Sequence, residues 1–253
     1  MSSPGRASSR WSPVGVIATL LLMACQPAEP PPLRVLAASS LQSLAVPDPA
    51  EGDSEMSVGA SSVLAMQLIA GVTADVVMLA DPRWMDELEA EGVLVPASRI
   101  EVARNRLVLA VPSRDGPGRV EDVLSGRVAI AEPRNVPLGR YTIEALQSLG
   151  WWASLEDRLV LASDARAVLS LVESGEVDAG IVYASDASRS RRVEVVRVFD
   201  PSLHRPIRCE AALISDRVAS RRFIDRLRGP AGRARVEAMG FVPPLKSDGE
   251  ERP

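Results

Sequence analysis

In 253 residues the chain carries one histidine, His204, and two cysteines, Cys25 and Cys209. A single imidazole excludes any metal site built on several histidines. A Ser–His–Asp triad would have to run through His204, whose Leu-His-Arg-Pro surroundings read as a surface loop. Cys209 opens an apolar run and reads as a buried, inert thiol. Lysine is nearly absent, with Lys246 alone, a skew of composition that carries no functional weight. The chain has no Lys/Arg run of the kind that grips a phosphate backbone, which argues against nucleic-acid binding. The glycine signatures GxGxxG, GxxxxGK[ST] and GxSxG are all missing, which removes the dinucleotide, phosphate-loop and nucleophile-elbow classes. No apolar stretch reaches the ~20 residues that a membrane-crossing helix needs.

What is present begins with an address. Arg6 and Arg10 form a basic head, and residues 14–23 are a short apolar run. This is the pattern of a secretory signal peptide. Leu22-Met23-Ala24-Cys25 resembles a bacterial lipobox, which implies cleavage after residue 24 and lipid attachment at Cys25. An ordinary signal with an incidental cysteine is the alternative. Residues 25–32 hold four prolines and read as a stiff tether. Removing the two arginines takes the formal charge from −4 to −6 (−4 minus 2). With Cys25 acylated, Cys209 has no disulfide partner.

Beyond the tether, β-rich and helix-period runs alternate. Strands are expected at 33–37, 74–79, 106–111, 127–131, 159–162, 179–183, 193–199 and 207–214. Asp81-Pro82 opens one helix and Gly92 ends it. Asp164 opens another and Gly175 ends it. Further helices are expected at 63–70, 140–149, 216–228 and 231–239. Such alternation argues an α/β fold with mainly parallel sheets.

Three short motifs carry chemistry: AASSL at 37–41, GASSVL at 59–64 and GIVYASD at 180–186. Together with Ala74-Asp75-Val76, Trp84-Met85, Pro137-Leu138-Gly139-Arg140-Tyr141 and Glu173-Ser174-Gly175-Glu176, they resemble the molybdate-binding proteins of bacterial ABC importers, in order, from about residue 33 to 243. The resemblance implies a two-lobed type II periplasmic binding fold with an oxyanion in the cleft. Residues 1–24 would be the lipoprotein signal and 25–32 the tether. One lobe would take 33–107 plus 208–247, the other 108–207, and 248–253 would be a frayed tail.

By position, the family's ion-binding residues fall on Ser40, Ser61, Leu138, Ala165 and Tyr183. The serines and the tyrosine would donate hydroxyl protons, and Leu138 and Ala165 backbone N–H groups. The bland alternatives are a turn for Ser40, a helix cap for Ser61 and core packing for Tyr183. Neutral donors suit a dianion such as molybdate or tungstate, because helix starts supply both N–H groups and favourable partial charge. Donors without acceptors disfavour hydrogenphosphate, whose proton would face other donors.

The implied protein is not an enzyme and uses no cofactor. It is a monomer that hands its ion to an ABC permease and ATPase and is held at the envelope by lipid on Cys25, facing the periplasm or exterior. Two departures from the family bear on this. Pro47, Pro49 and Gly52 exclude a continuous helix across residues 42–56, and Leu138 stands where a small residue is usual. A site for sulfate, or an envelope lipoprotein that no longer binds an ion, are the rival readings.

Overall fold

A computed structural model describes residues 30–46, 53–113, 120 and 124–244. The signal segment, Cys25, most of the tether, Pro47, Pro49, Gly52 and the tail after Pro244 lie outside the described residues. Among the described residues no helix is long and apolar enough to cross a membrane.

Two five-stranded sheets make two lobes. The first has the order β2(Ser54–Gly59)-β1(Leu33–Ala38)-β3(Val76–Leu79)-β10(Arg208–Leu213)-β4(Ile100–Arg104). The second has the order β7(Leu159–Ala162)-β6(Val128–Ala131)-β8(Ala179–Tyr183)-β5(Leu107–Pro112)-β9(Val193–Val198). β1 pairs in parallel with β2 and β3, and β6 pairs in parallel with β7 and β8. β10 runs antiparallel to both its neighbours, and so does β5. Each sheet thus has four strands in one direction and one against. The odd strand is the one that arrives from the other lobe.

The chain crosses at Asn105 and Arg106 and returns ahead of β10. The two crossings touch, since the Asn105 N–H donates to the Ile207 carbonyl (3.1 Å). Asn105 also donates its side-chain amide to Ser185 Oγ (2.8 Å), which ties the crossing to the second lobe.

Among the described residues the α-helices include α1(Gln42–Ala45), α2(Ser61–Ile69), α3(Pro82–Ala90), α4(Pro137–Ser148), α5(Trp152–Leu155), α6(Ala165–Ser174), α7(Ala184–Ala187), α8(Val218–Arg228) and α9(Pro230–Ala238). Both faces of the first sheet are covered, and the two-residue period shows it. Val35, Ala37, Val76 and Met78 enter one core with Phe223 of α8, while Leu36, Val77 and Leu79 enter the other with Leu64 and Met85. The second lobe packs around Leu109, Ile130, Tyr141, Val168 and Ile181.

Caps set the helix starts. Asp81 accepts the Arg83 N–H (3.0 Å) ahead of Pro82. Asp164 accepts the N–H groups of Arg166 (2.8 Å) and Ala167 (3.0 Å). Gly175 ends α6 with φ +71°, a conformation that favours glycine.

Three sequence expectations need adjusting. β2 was not among the expected strands, because SEMSVG is an exposed edge strand with little apolar content. β4 was also missed. His204 is not a surface loop residue. It is buried beside the Tyr141 ring (centroids 6.0 Å apart), and its Nδ1–H donates to the Arg205 carbonyl (2.7 Å). The following Pro206-Ile207 leads back into the crossing, so the loop is pulled inward.

Candidate functional site

Between the lobes lies a pocket lined by residues that follow six strand ends. β1 leads to Ala38, Ser39 and Ser40, β2 to Gly59, Ala60 and Ser61, and β3 to Ala80. β6 leads to Val136, Pro137 and Leu138, β7 to Ala165, and β8 ends in Tyr183. All five residues singled out from the sequence, Ser40, Ser61, Leu138, Ala165 and Tyr183, line this one pocket, and all are buried. These strands run parallel within each lobe, so their carboxyl ends face the cleft, where α/β sheets place ligands.

The pocket is small. The centre of a water-sized sphere has about 10 Å³ in which to move, close to the space of one water molecule. No lining side chain is charged. Two wider depressions, about 410 and 370 Å³ on the same measure, are lined instead by charged side chains such as Arg104, Arg205 and Glu173.

The lining offers donors. Ser61 stands at the first position of α2, and its Oγ accepts the Ala80 N–H (3.2 Å), which fixes the oxygen and leaves its own proton to donate. In α6, Asp164 occupies the N–H groups of Arg166 and Ala167, so the first-turn donor left over is that of Ala165. Leu138 holds the second position of α4, behind Pro137, which has no N–H to give. Gly139 makes this approach possible. A Cβ there would lie 2.2 Å from the Ala131 carbonyl and 2.8 Å from Pro133 Cα. The Leu138 side chain is fully buried and packs in the second lobe's core.

Tyr183 Oη is buried and has no hydrogen-bond partner among the described residues. Burial holds its phenol well above the usual range, so it remains a protonated donor. Ser40 sits in the 3-10 turn Ser39–Leu41, directly after β1. The short α1 that follows stops at Ala45, yet Ser40 stays buried. Sequence reasoning passed over Ser39, Ala60, Ala80 and Val136. Each lies within a few residues of a strand end, and that position was the signal available.

The model of the bacterial extracellular solute-binding protein family matches residues 33–242. The chain belongs to this family. The molybdate-binding protein ModA of Escherichia coli is 35% identical over 197 residues, covering 74% of this chain and 77% of that protein. ModA of Haemophilus influenzae is 32% identical over 196 residues, covering 73% and 77%. The chain is thus an extracytoplasmic solute-binding protein of the molybdate-binding branch, a non-catalytic family whose members work with an ABC permease and ATPase.

The Azotobacter vinelandii periplasmic molybdate-binding protein superposes with TM-score 0.73 at 23% identity, covering 84% of this chain and all of that one. The sulfate-binding protein SubI of Mycobacterium tuberculosis superposes at 0.67 with 14% identity, covering 83% and 86%. Both share the fold with this chain. Cys209 is buried in the first lobe's core, and burial pushes its thiol far above the usual range, which keeps it inert.

Proposed function

We propose that the protein captures molybdate, and tungstate with it, between its lobes and delivers the ion to an ABC importer while lipid on Cys25 holds it at the membrane. The observation that supports this reading is the meeting of Ser40, Ser61, Leu138, Ala165 and Tyr183 around one small pocket without a charged side chain. Burying a dianion without partners is very costly, and here neutral donors from both lobes would surround it. Helix starts add favourable partial charge without introducing a cation. Because hydroxyls and N–H groups dominate the lining, an anion that keeps a proton would leave that proton facing donors, which disfavours hydrogenphosphate. Sulfate satisfies the same chemistry and is separated by size alone.

The test is a thermal melt of the protein with molybdate, tungstate, sulfate and phosphate. Ligand at about 100 times its dissociation constant stabilises by ~2.7 kcal/mol. For a chain of this size that is a rise of roughly 5–10 °C. A rise with molybdate and tungstate alone is the expected result. A rise with sulfate alone would reassign the ligand, and no rise with any oxyanion would overturn the reading.

A further inference from the structure

Asp81 caps α3 in the first lobe, one residue after the pocket-lining Ala80, and Arg140 lies in α4 of the second lobe, two residues after Leu138. Asp81 Oδ2 and Arg140 Nη2 form an ion pair across the cleft. Both side chains are largely buried, at 4% and 17% exposure. Among the described residues the other ion pairs each stay within one lobe, as Arg99–Glu210, Arg205–Glu144 and Arg192–Glu173 do. We propose that Asp81 and Arg140 form a latch that exists only when the lobes are together, and that they set the affinity for the ion without touching it.

The lobes are joined by two crossing segments, the geometry from which hinge closure arises. Parted lobes return both charges to water. Joined lobes bury them, and the burial is tolerable only because each finds the other. The pair therefore favours the closed arrangement that also completes the pocket. An ion that binds the closed arrangement gains affinity in proportion to how much of it is already populated. The two carboxylate oxygens divide the labour, since Oδ1 accepts the Arg83 N–H and Oδ2 faces Arg140. Asp81→Asn consequently keeps the helix cap, for which asparagine serves as well as aspartate, and deletes only the charge.

The inference rests on the oxyanion reading for one of its two readouts. The dissociation constant and dissociation rate of molybdate are measured by calorimetry and stopped flow for the full chain, Asp81→Asn, Arg140→Gln, the double variant and Arg221→Gln. The last breaks an exposed pair within the first lobe, Arg221–Asp216, and serves as control. Amide exchange across residues 59–64 and 136–141 is measured without ligand. The latch predicts that each single variant weakens binding about tenfold or more, through faster dissociation. It also predicts that the double variant is no worse than the singles, that the control is unchanged, and that ligand-free exchange quickens in both segments.

A lowered dissociation constant in Asp81→Asn would mean that Arg140 attracts the anion directly, and would overturn the latch. Unchanged binding in both single variants would overturn it as well. If the unmodified protein binds no oxyanion, the proposed function fails. Exchange without ligand then decides the latch alone: faster exchange in Asp81→Asn supports it, and unchanged exchange refutes it.

Discussion

Replacing Tyr183 by phenylalanine should move binding and stability in opposite directions. The phenol is buried and its oxygen meets no hydrogen-bond partner among the described residues, in a pocket lined by Ser40, Ser61 and Ala165. A donor bonded to an anion contributes about 1.5–3 kcal/mol, so losing it should raise the molybdate dissociation constant roughly 10- to 150-fold. In the ligand-free protein the same hydroxyl is an unsatisfied polar group, which costs about 1–3 kcal/mol to bury. Removing it should therefore leave the melting temperature unchanged or raise it by a few degrees. Calorimetric titration and a ligand-free melt measure the two quantities on one preparation. If Tyr183→Phe binds as tightly as the parent, the hydroxyl does not face the ion. If its ligand-free melting temperature falls by several degrees, the hydroxyl serves the core and not the ion.

Ser61→Ala should weaken binding and also lower ligand-free stability by about 1–3 kcal/mol, since it orphans the buried Ala80 N–H; paired titration and melt distinguish it from Tyr183→Phe. Gly139→Ala should lower the melting temperature and weaken binding together, because its Cβ would push α4 away from the Ala131 carbonyl. Asp186 is buried, and burial raises its carboxyl to about 7, while Arg189 and Arg166 pull it down and Asp164 pushes it up. The folded protein holds this proton between about pH 4 and 7, whereas the unfolded chain releases it at the low end. Stability should therefore fall as pH rises through that window, by on the order of 4 kcal/mol, and then level off above 7. Asp186→Asn should remove that slope, which denaturant titrations at several pH values would reveal.

The local signals that could be read were those with a single physical cause. Asp81-Pro82 and Asp164 announced helix starts because a carboxylate one residue ahead of a helix satisfies its free N–H groups. LRVLA and AGIVY read as buried strands because both faces of their sheets are covered, so nearly every position is uncharged and buried, the exposed Arg34 near the start of β1 excepted. β2 could not be read, because an edge strand with exposed Ser54, Glu55 and Ser57 has no apolar face to announce it, and its hydrogen bonds to β1 are invisible in a one-dimensional string. His204 was misplaced for a related reason. Its burial comes from Tyr141, 63 positions earlier, and no local pattern encodes that meeting. The division into lobes followed from the resemblance. Nothing local in the sequence shows that the chain leaves the first sheet at Arg104, and Leu107 already pairs with Tyr183 in the second. For the site, donor-rich helix starts were legible locally, and the meeting of the five residues in one cleft was expected only through the resemblance.

That convergence has a cause in the topology. Both sheets repeat one arrangement, with three parallel strands beside an antiparallel strand borrowed from the other lobe. The borrowing orients the lobes so that the carboxyl ends of β1, β2 and β3 confront those of β6, β7 and β8. Each such end turns into a helix or a helical turn, or into the loop that leads to one, so first-turn N–H groups and hydroxyls accumulate where six strands stop. A pocket made this way is rich in donors before any side chain is chosen, and it needs no arginine or lysine to attract an anion. The charged residues are left for the rim, where Asp81 and Arg140 can meet across the cleft without discriminating among ions. Separating these two tasks explains why a neutral lining and a buried ion pair lie so close together. The lining determines which ion fits, and the pair influences how tightly the lobes hold it.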